Sequence, residues 1–122
     1  VVDLPERLII HGNQSLLYSI FRNLTDNAIA YAGEGTTIQL SAHDEGSQWR
    51  FVFSDNGVGI EPQHLSRIFE RFYRVDKGRS RKMGGTGLGL AIVKNAVGLH
   101  GGSITATCPA EGGMRFEFTL NK

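Results

Sequence analysis

Cysteine is nearly missing from this chain: Cys108 is the only one among 122 residues. A single cysteine closes no internal disulfide and offers no paired ligands for a metal knuckle. A reducing compartment is the simplest setting. An excess of charge is missing too. Thirteen Lys and Arg stand against twelve Asp and Glu, a net charge of +1, so charge alone gives no case for nucleic-acid or membrane binding. No apolar run approaches the roughly 20 residues of a membrane span, and no signal peptide is present. Internal repeats and long low-complexity linkers are absent. The chain begins at Val1 rather than at a methionine, as expected of a domain cut from a longer protein.

What is present suits one packed domain of ordinary size. The apolar share is 40% and the charged share 20%, close to a soluble average. Glycine is abundant, at 16 residues, about twice its usual share. "RLIIH", residues 7–11, reads as a short strand. Asn13 then suits a helix N-cap, because its side-chain oxygen can accept a free N–H of the first turn. Leu16, Leu17, Ile20, Phe21, Leu24 and Ala28 follow at helical spacing, and Gly33 is a suitable stop. Residues 36–43 and 48–55 alternate as two strands around the turn "DEGS", with Ile38, Leu40 and Ala42 on one face and Trp49, Phe51 and Phe53 on another. "EPQHLSRIFERF" reads as a short helix with Pro62 in its first turn. Residues 73–86 lack any apolar period and read as a loop. Residues 87–99 read as a helix closing at Gly101 and Gly102. "SITATC" and "MRFEFTL" complete the chain as two strands around "PAEGG". The order predicts an α+β fold, an α/β sandwich with three helices on one face of a mixed, mostly antiparallel five-stranded sheet.

Three places carry candidate chemistry. Leu16, Ile20, Asn23 and Asn27 form one helical stripe that turns from apolar to amide. An amide near a buried face needs partners, so the stripe either meets a polar site or rotates into solvent. Asp55 ends an apolar strand, with Gly57 and Gly59 directly after it. That is a common ligand position in α/β folds, and also an ordinary Asp-Asn-Gly turn. Third, "KMGGTGLGLAIVKN" places Gly84, Gly85, Gly87 and Gly89 ahead of a helix. It is no Walker A loop, because Leu90 follows Gly89 where Lys is required. It is no Rossmann fingerprint either, since the third glycine position falls on Leu90 or Ile92. A basic loop leads into it, with Arg71, Arg74, Lys77, Arg79, Arg81 and Lys82 against Asp76. Such a loop can close over polyphosphate beside helix N-terminal amides, or it is a solvated surface.

The order of these signals is more specific than any one of them. "NLTDNAIAY", "DNGVGI", "IFERFYRVD" and "GGTGLGLAIV" closely resemble the N, G1, F and G2 boxes of sensor histidine kinases, in the right sequence and across nearly the whole chain. The resemblance implies a Bergerat ATP-binding fold over residues 1–122. It implies ATP and Mg²⁺ as ligands, and a lid at about 74–86. By the family pattern Asn27 coordinates Mg²⁺ bridging the phosphates, with Asn23 beside it, and Tyr31 packs near the nucleotide. Asp55 accepts a hydrogen bond from the adenine amino group, which favours ATP over GTP, because guanine presents a carbonyl at that edge. Gly57 and Gly59 let the backbone approach the nucleotide, and Ile60 is a further nucleotide-binding position of the same box. Phe69, Phe72 and Tyr73 match the F box, with Phe69 expected to be packing in any case. Arg74, Lys77, Gly85, Thr86, Gly87, Leu88 and Gly89 line the lid and its hinge, and Leu88 and Leu90 anchor the helix to the sheet.

Two positions depart from the pattern. Ala30 stands where the family usually has Lys or Arg, so either nucleotide binding is weaker, and Ala30→Lys raises it, or the basic lid compensates. Met114 stands where Thr or Ser is frequent, which puts a side-chain polar contact there in doubt. His11, His43, His64 and His100 lack the neighbours of a phospho-acceptor and read as surface or sheet-edge residues.

The implied activity is transfer of the ATP γ-phosphate to a histidine on a separate dimerisation domain absent from this chain, and onward to a response regulator. No general base is assigned here, because it is expected beside that histidine. The resemblance further implies a domain that is monomeric alone and part of a homodimer in the full protein. It would lie on the cytoplasmic side of an inner-membrane-anchored bacterial sensor, without direct membrane or nucleic-acid contact. The lid is expected to be unordered without nucleotide. The alternatives are a gyrase- or chaperone-type ATPase and a non-catalytic nucleotide-sensing or docking module.

Overall fold

The computed structural model describes residues 2–5, 8–31, 35–73, 88–110 and 112–122, with only the backbone of Ala30 and Tyr31. Its elements are β1 (Val2–Asp3), α1 (Gln14–Tyr31), β2 (Ile38–Asp44), β3 (Gln48–Asp55), a 3₁₀ turn (Pro62–His64), α2 (Gly89–Leu99), β4 (Ile104–Thr107) and β5 (Arg115–Asn121). The five strands form one sheet in the order β1-β2-β3-β5-β4. β1 runs parallel to β2, and the other three pairings are antiparallel. The α+β class and the mixed, mostly antiparallel sheet are as expected. Among the described residues there are two α-helices rather than three.

Alternation builds the core. Trp49, Phe51 and Phe53 oppose Leu120, Phe118 and Phe116 across the β3–β5 ladder, and all six are buried. Strand side chains alternate between faces, so these six share the covered face. α1 lays Ile20, Leu24 and Ala28 on it, fully or almost fully buried, with Leu16, Leu17 and Phe21 packed at the margin. Phe51 and Phe118 stack at 5.1 Å, and Phe21 meets both at 5.7 and 5.8 Å. α2 adds Val93, Ala96 and Val97. The opposite face carries charge instead, with Arg50 bridging Glu45 and Glu117.

Helix ends follow capping rules. Asn13 Oδ1 accepts the Leu16 amide at 3.0 Å, so the expected N-cap is present. α2 closes with Gly102 N–H donating to the Val97 carbonyl and Gly101 N–H to that of Gly98. Gly101 has a φ of 75°. This is the paired-bond, left-handed stop that glycine favours.

Two expected elements differ. Residues 8–11 are not a strand; the first strand is Val2–Asp3. The Leu8 amide turns back to the Pro5 carbonyl at 3.1 Å, and Leu8 and Ile10 pack on the core while Ile9 is exposed. The apolar alternation there reflects packing without a ladder. Residues 61–72 do not form the expected α-helix. The bonds into His64, Leu65, Arg67, Glu70 and Tyr73 all span three residues, and only the Ile68 amide reaches back four. Phe72, at a φ of 66°, ends the run in a left-handed conformation. The expected stop at Gly33 and the lid at 74–86 lie outside the described residues.

Candidate functional site

The two helices run antiparallel across the sheet. The start of α1 meets the end of α2 at His100, whose Nε2 accepts the Asn13 amide at 3.1 Å. Further along α1, Asn23 meets the start of α2: a Cβ added to Gly89 would lie 3.1 Å from Asn23 Oδ1. Asn23 Nδ2 donates to the Ser19 carbonyl at 2.7 Å, which turns the amide oxygen toward Gly89. Asn27 is half-buried one turn on. The amide stripe therefore lies beside the helix that the glycine-rich stretch opens, and its oxygens are of the hard type Mg²⁺ prefers. Leu88 occupies the N-cap position of α2 without a side-chain cap, and Leu90 packs on the core.

Asp55 lies at the end of β3, where three backbone segments converge. Its Oδ1 accepts the Gly57 amide at 2.9 Å and the Met114 amide at 3.4 Å. Its own amide donates to the Met114 carbonyl at 3.0 Å. The Asp-Asn-Gly turn is thus real, and the carboxylate is also part of a larger clamp. Gly59, at a φ of 68°, sits against Gly113, where a Cβ would come within 2.8 Å of the Gly113 carbonyl oxygen. The carbonyl of Ile60 accepts the Cys108 thiol at 3.2 Å, and that sulfur lies 3.5 Å from Met114 Sδ. Asn56 bonds to Thr37 in both directions, at 2.8 and 3.3 Å, tying the turn to the start of β2.

The F-box aromatics divide. Phe69 packs on the core, edge-on to Phe116 at 6.2 Å, as expected. Phe72 is exposed. Tyr73 is half-buried; its hydroxyl hydrogen-bonds His64 Nδ1, and Arg67 lies over its ring at 4.6 Å. Arg67 also donates to Glu70, which holds the Glu70 carboxyl below its ordinary range. Tyr31's side chain, Arg74, Lys77, Gly85, Thr86 and Gly87 lie outside the described residues. Among those described, no group of three or more His, Cys, Asp or Glu stands ready for a metal, and no helix is long and apolar enough to cross a membrane.

Reading His64 and His100 as plain surface residues missed their partners. Both are half-buried, and His100 also bonds the Ala96 carbonyl at 2.7 Å. Spacing gives no signal for either contact. The doubt over Met114 holds for its side chain, which is buried beside Cys108; its main chain contacts Asp55 instead.

With this geometry in place, residues 12–122 match the family described as histidine kinase-, DNA gyrase B-, and HSP90-like ATPase. The sensor-like histidine kinase SenX3 of Mycobacterium tuberculosis is 42% identical over 118 residues, 97% of this chain and 29% of SenX3. Sensor histidine kinase WalK of Bacillus subtilis is 40% identical over 121 residues, 97% of this chain and 20% of WalK. The chain therefore spans less than a third of either relative. Among solved structures, the mycobacterial sensor histidine kinase MprB superposes with a TM-score of 0.85 at 32% identity, covering 98% of this chain and 80% of that one. Full-length ShkA in complex with AMPPNP gives 0.76 at 28% identity, covering 98% of this chain and 25% of ShkA.

Proposed function

We propose, for a chain that belongs to the histidine kinase-, DNA gyrase B-, and HSP90-like ATPase family, that it is the ATP-binding kinase domain of a sensor histidine kinase. On this reading it presents the ATP γ-phosphate to a histidine on a separate dimerisation domain of the same protein. A response regulator then receives the phosphoryl group. The observation that carries the reading is the meeting of Asn23 with Gly89: it joins the amide stripe of α1 to the helix opened by the glycine-rich stretch.

The residues fit the ligands. Asn23 and Asn27 offer amide oxygens for Mg²⁺, which keeps several waters and needs few protein ligands. Asp55 offers a carboxylate acceptor at the end of β3 for an adenine amino group. Gly57, Gly59 and Ile60 bring backbone close beside it. ATP supplies the phosphoryl group; the chain's share is binding, orientation and charge neutralisation. Arg74 and Lys77, with the glycines up to Gly89, complete the site by the family pattern. The domain lies on the cytoplasmic side of a membrane-anchored homodimer.

Family ATPases of the gyrase or chaperone type carry a Glu about one turn before the metal-binding Asn; here that turn holds Asn23. This favours transfer over hydrolysis. The test is to mix the chain with its dimerisation domain and γ-labelled ATP. Acid-labile phosphohistidine on that domain is expected. Phosphate release without an acceptor would point to an ATPase, and binding without transfer or release to a nucleotide sensor.

A further inference from the structure

We infer that Gly113 and Met114 are positioning residues for base recognition, holding one oxygen of Asp55 so that the other alone is presented to a ligand. The inference rests on the nucleotide site proposed above.

A carboxylate at a strand end has two equivalent oxygens and a free rotor. Here Asp55 Oδ1 takes two main-chain donors, from Gly57 and Met114. Among the described residues no hydrogen bond reaches Oδ2, and no buried side-chain polar atom lacks a partner, so Oδ2 remains open to a ligand. The Met114 amide is available because the β3–β5 ladder continues beyond Ser54 and Arg115. The Asp55 amide donates to the Met114 carbonyl, and the Asp55 carboxylate takes the return bond.

Gly113 makes that last rung. Its φ is 82°, and a Cβ there would lie 2.0 Å from the Asp55 carbonyl oxygen. No side chain fits without displacing one segment from the other. On its other side, the Gly113 carbonyl leaves no room for a Cβ on Gly59. Cys108 closes the arrangement. Its thiol donates to the Ile60 carbonyl and touches Met114 Sδ, so both ends of segment 55–60 are referred to the same turn. Met114 brings no side-chain donor to Asp55; the carboxylate is oriented by main chain alone.

Loosening this clamp frees the carboxylate to rotate. That weakens a ligand offering an amino group and leaves one offering a carbonyl unaffected, so base preference reads the clamp directly. The experiment measures equilibrium binding of ATP and GTP, with Mg²⁺, to the full chain and to Asp55→Ala, Gly113→Ala and Cys108→Ala variants whose folding is followed by Tm. Asp55→Ala is expected to abolish a wild-type preference for ATP. Gly113→Ala is expected to weaken ATP about tenfold, the value of one charged hydrogen bond, with GTP unchanged. Cys108→Ala is expected to weaken ATP about threefold, as loss of a weaker thiol donor at longer range.

Folded Gly113→Ala and Cys108→Ala proteins with the wild-type ATP-to-GTP ratio would overturn the inference while leaving the site intact. If Gly113→Ala does not fold, an unchanged ratio in Cys108→Ala overturns it. Wild-type protein without any ATP preference would remove the proposed adenine site, and the inference with it.

Discussion

The two ends of the α1–α2 pair are built on opposite principles. At one end, Asn13, His100, Gly101, Gly102, Gln48 and Asn121 fill one another's hydrogen-bonding needs. Gln48 Nε2 donates both to the Gly101 carbonyl and to Asn121 Oδ1. A Cβ on Gly101 would lie 2.0 Å from Asn121 Nδ2, and one on Gly102 would lie 1.7 Å from the Thr119 carbonyl oxygen. At the other end, polar oxygens beside close-set glycines keep hydrogen-bonding capacity to spare. Gly89 borders Asn23 Oδ1, and Asp55 uses one oxygen of two. Glycine is crowded at both ends, Gly113 against the Asp55 carbonyl as closely as Gly101 against Asn121; what differs is whether the polar groups beside it are paired. The same residue type thus marks a latch at one end and a site at the other.

This contrast breaks most sharply at Gly102. Gly102→Ala forces a Cβ into the β5 backbone and is expected to cost about 3 kcal/mol, a Tm fall on the order of 10 °C. Nucleotide affinity of the protein that remains folded should not change. A Gly102→Ala protein with wild-type Tm in a thermal melt would remove the latch from the comparison.

The opposite signature is expected at the site. Asn27→Ala should weaken Mg²⁺–ATP by about 2 kcal/mol, some thirtyfold, while Tm stays within a degree or two. Titration of a fluorescent nucleotide beside a melt separates the two quantities. Loss of both together would mean that Asn27 is structural.

A smaller effect returns to the latch. His100→Leu removes the acceptor for the Asn13 amide and the partner of the Ala96 carbonyl, at about 1–2 kcal/mol. Asn13→Ala removes the cap, at about 1 kcal/mol. Urea midpoints measure both. The double variant should fall short of the sum, because each residue orders the other.

The smallest effect lies on the exposed turn. Glu70's carboxyl is held low, first by its hydrogen bond from Arg67 and then by that residue's charge. A lowered folded-state pKa contributes stability above the ordinary glutamate pKa, and that stability disappears as pH falls through the lowered value. The pair is solvent-exposed, so its effect on global stability is slight. The Glu70 titration midpoint, followed by carboxyl carbon NMR, should rise in Arg67→Ala.

Local rules carried far into this fold. The apolar stripe of α1, the alternation of β3 against β5, and the cap at Asn13 each follow from neighbours a few residues apart, and the structure has them. The meeting of Asn23 with Gly89 was foreshadowed only by the change from Leu and Ile to Asn along one stripe. Contacts between distant segments left no such trace. Nothing near His100 announces Asn13, and nothing near Met114 announces that its amide reaches Asp55. The strand at Val2–Asp3 was missed because two residues carry no period, while the apolar run after it does. The helix expected at 61–72 is replaced by turns, because apolar spacing over so short a stretch suits either.

The bond between Asn13 and His100 spans 87 residues of sequence. In kinetic terms that separation is its main property. Contacts so remote close a long loop and gain little until the intervening chain is in place. The bond should therefore be absent from the folding transition state. Removing it should speed unfolding and leave the folding rate almost unchanged. The two arms of a denaturant chevron for His100→Leu would display this, since the lost stability should fall on the unfolding arm. A latch made last also sets how long the assembled domain persists before it opens.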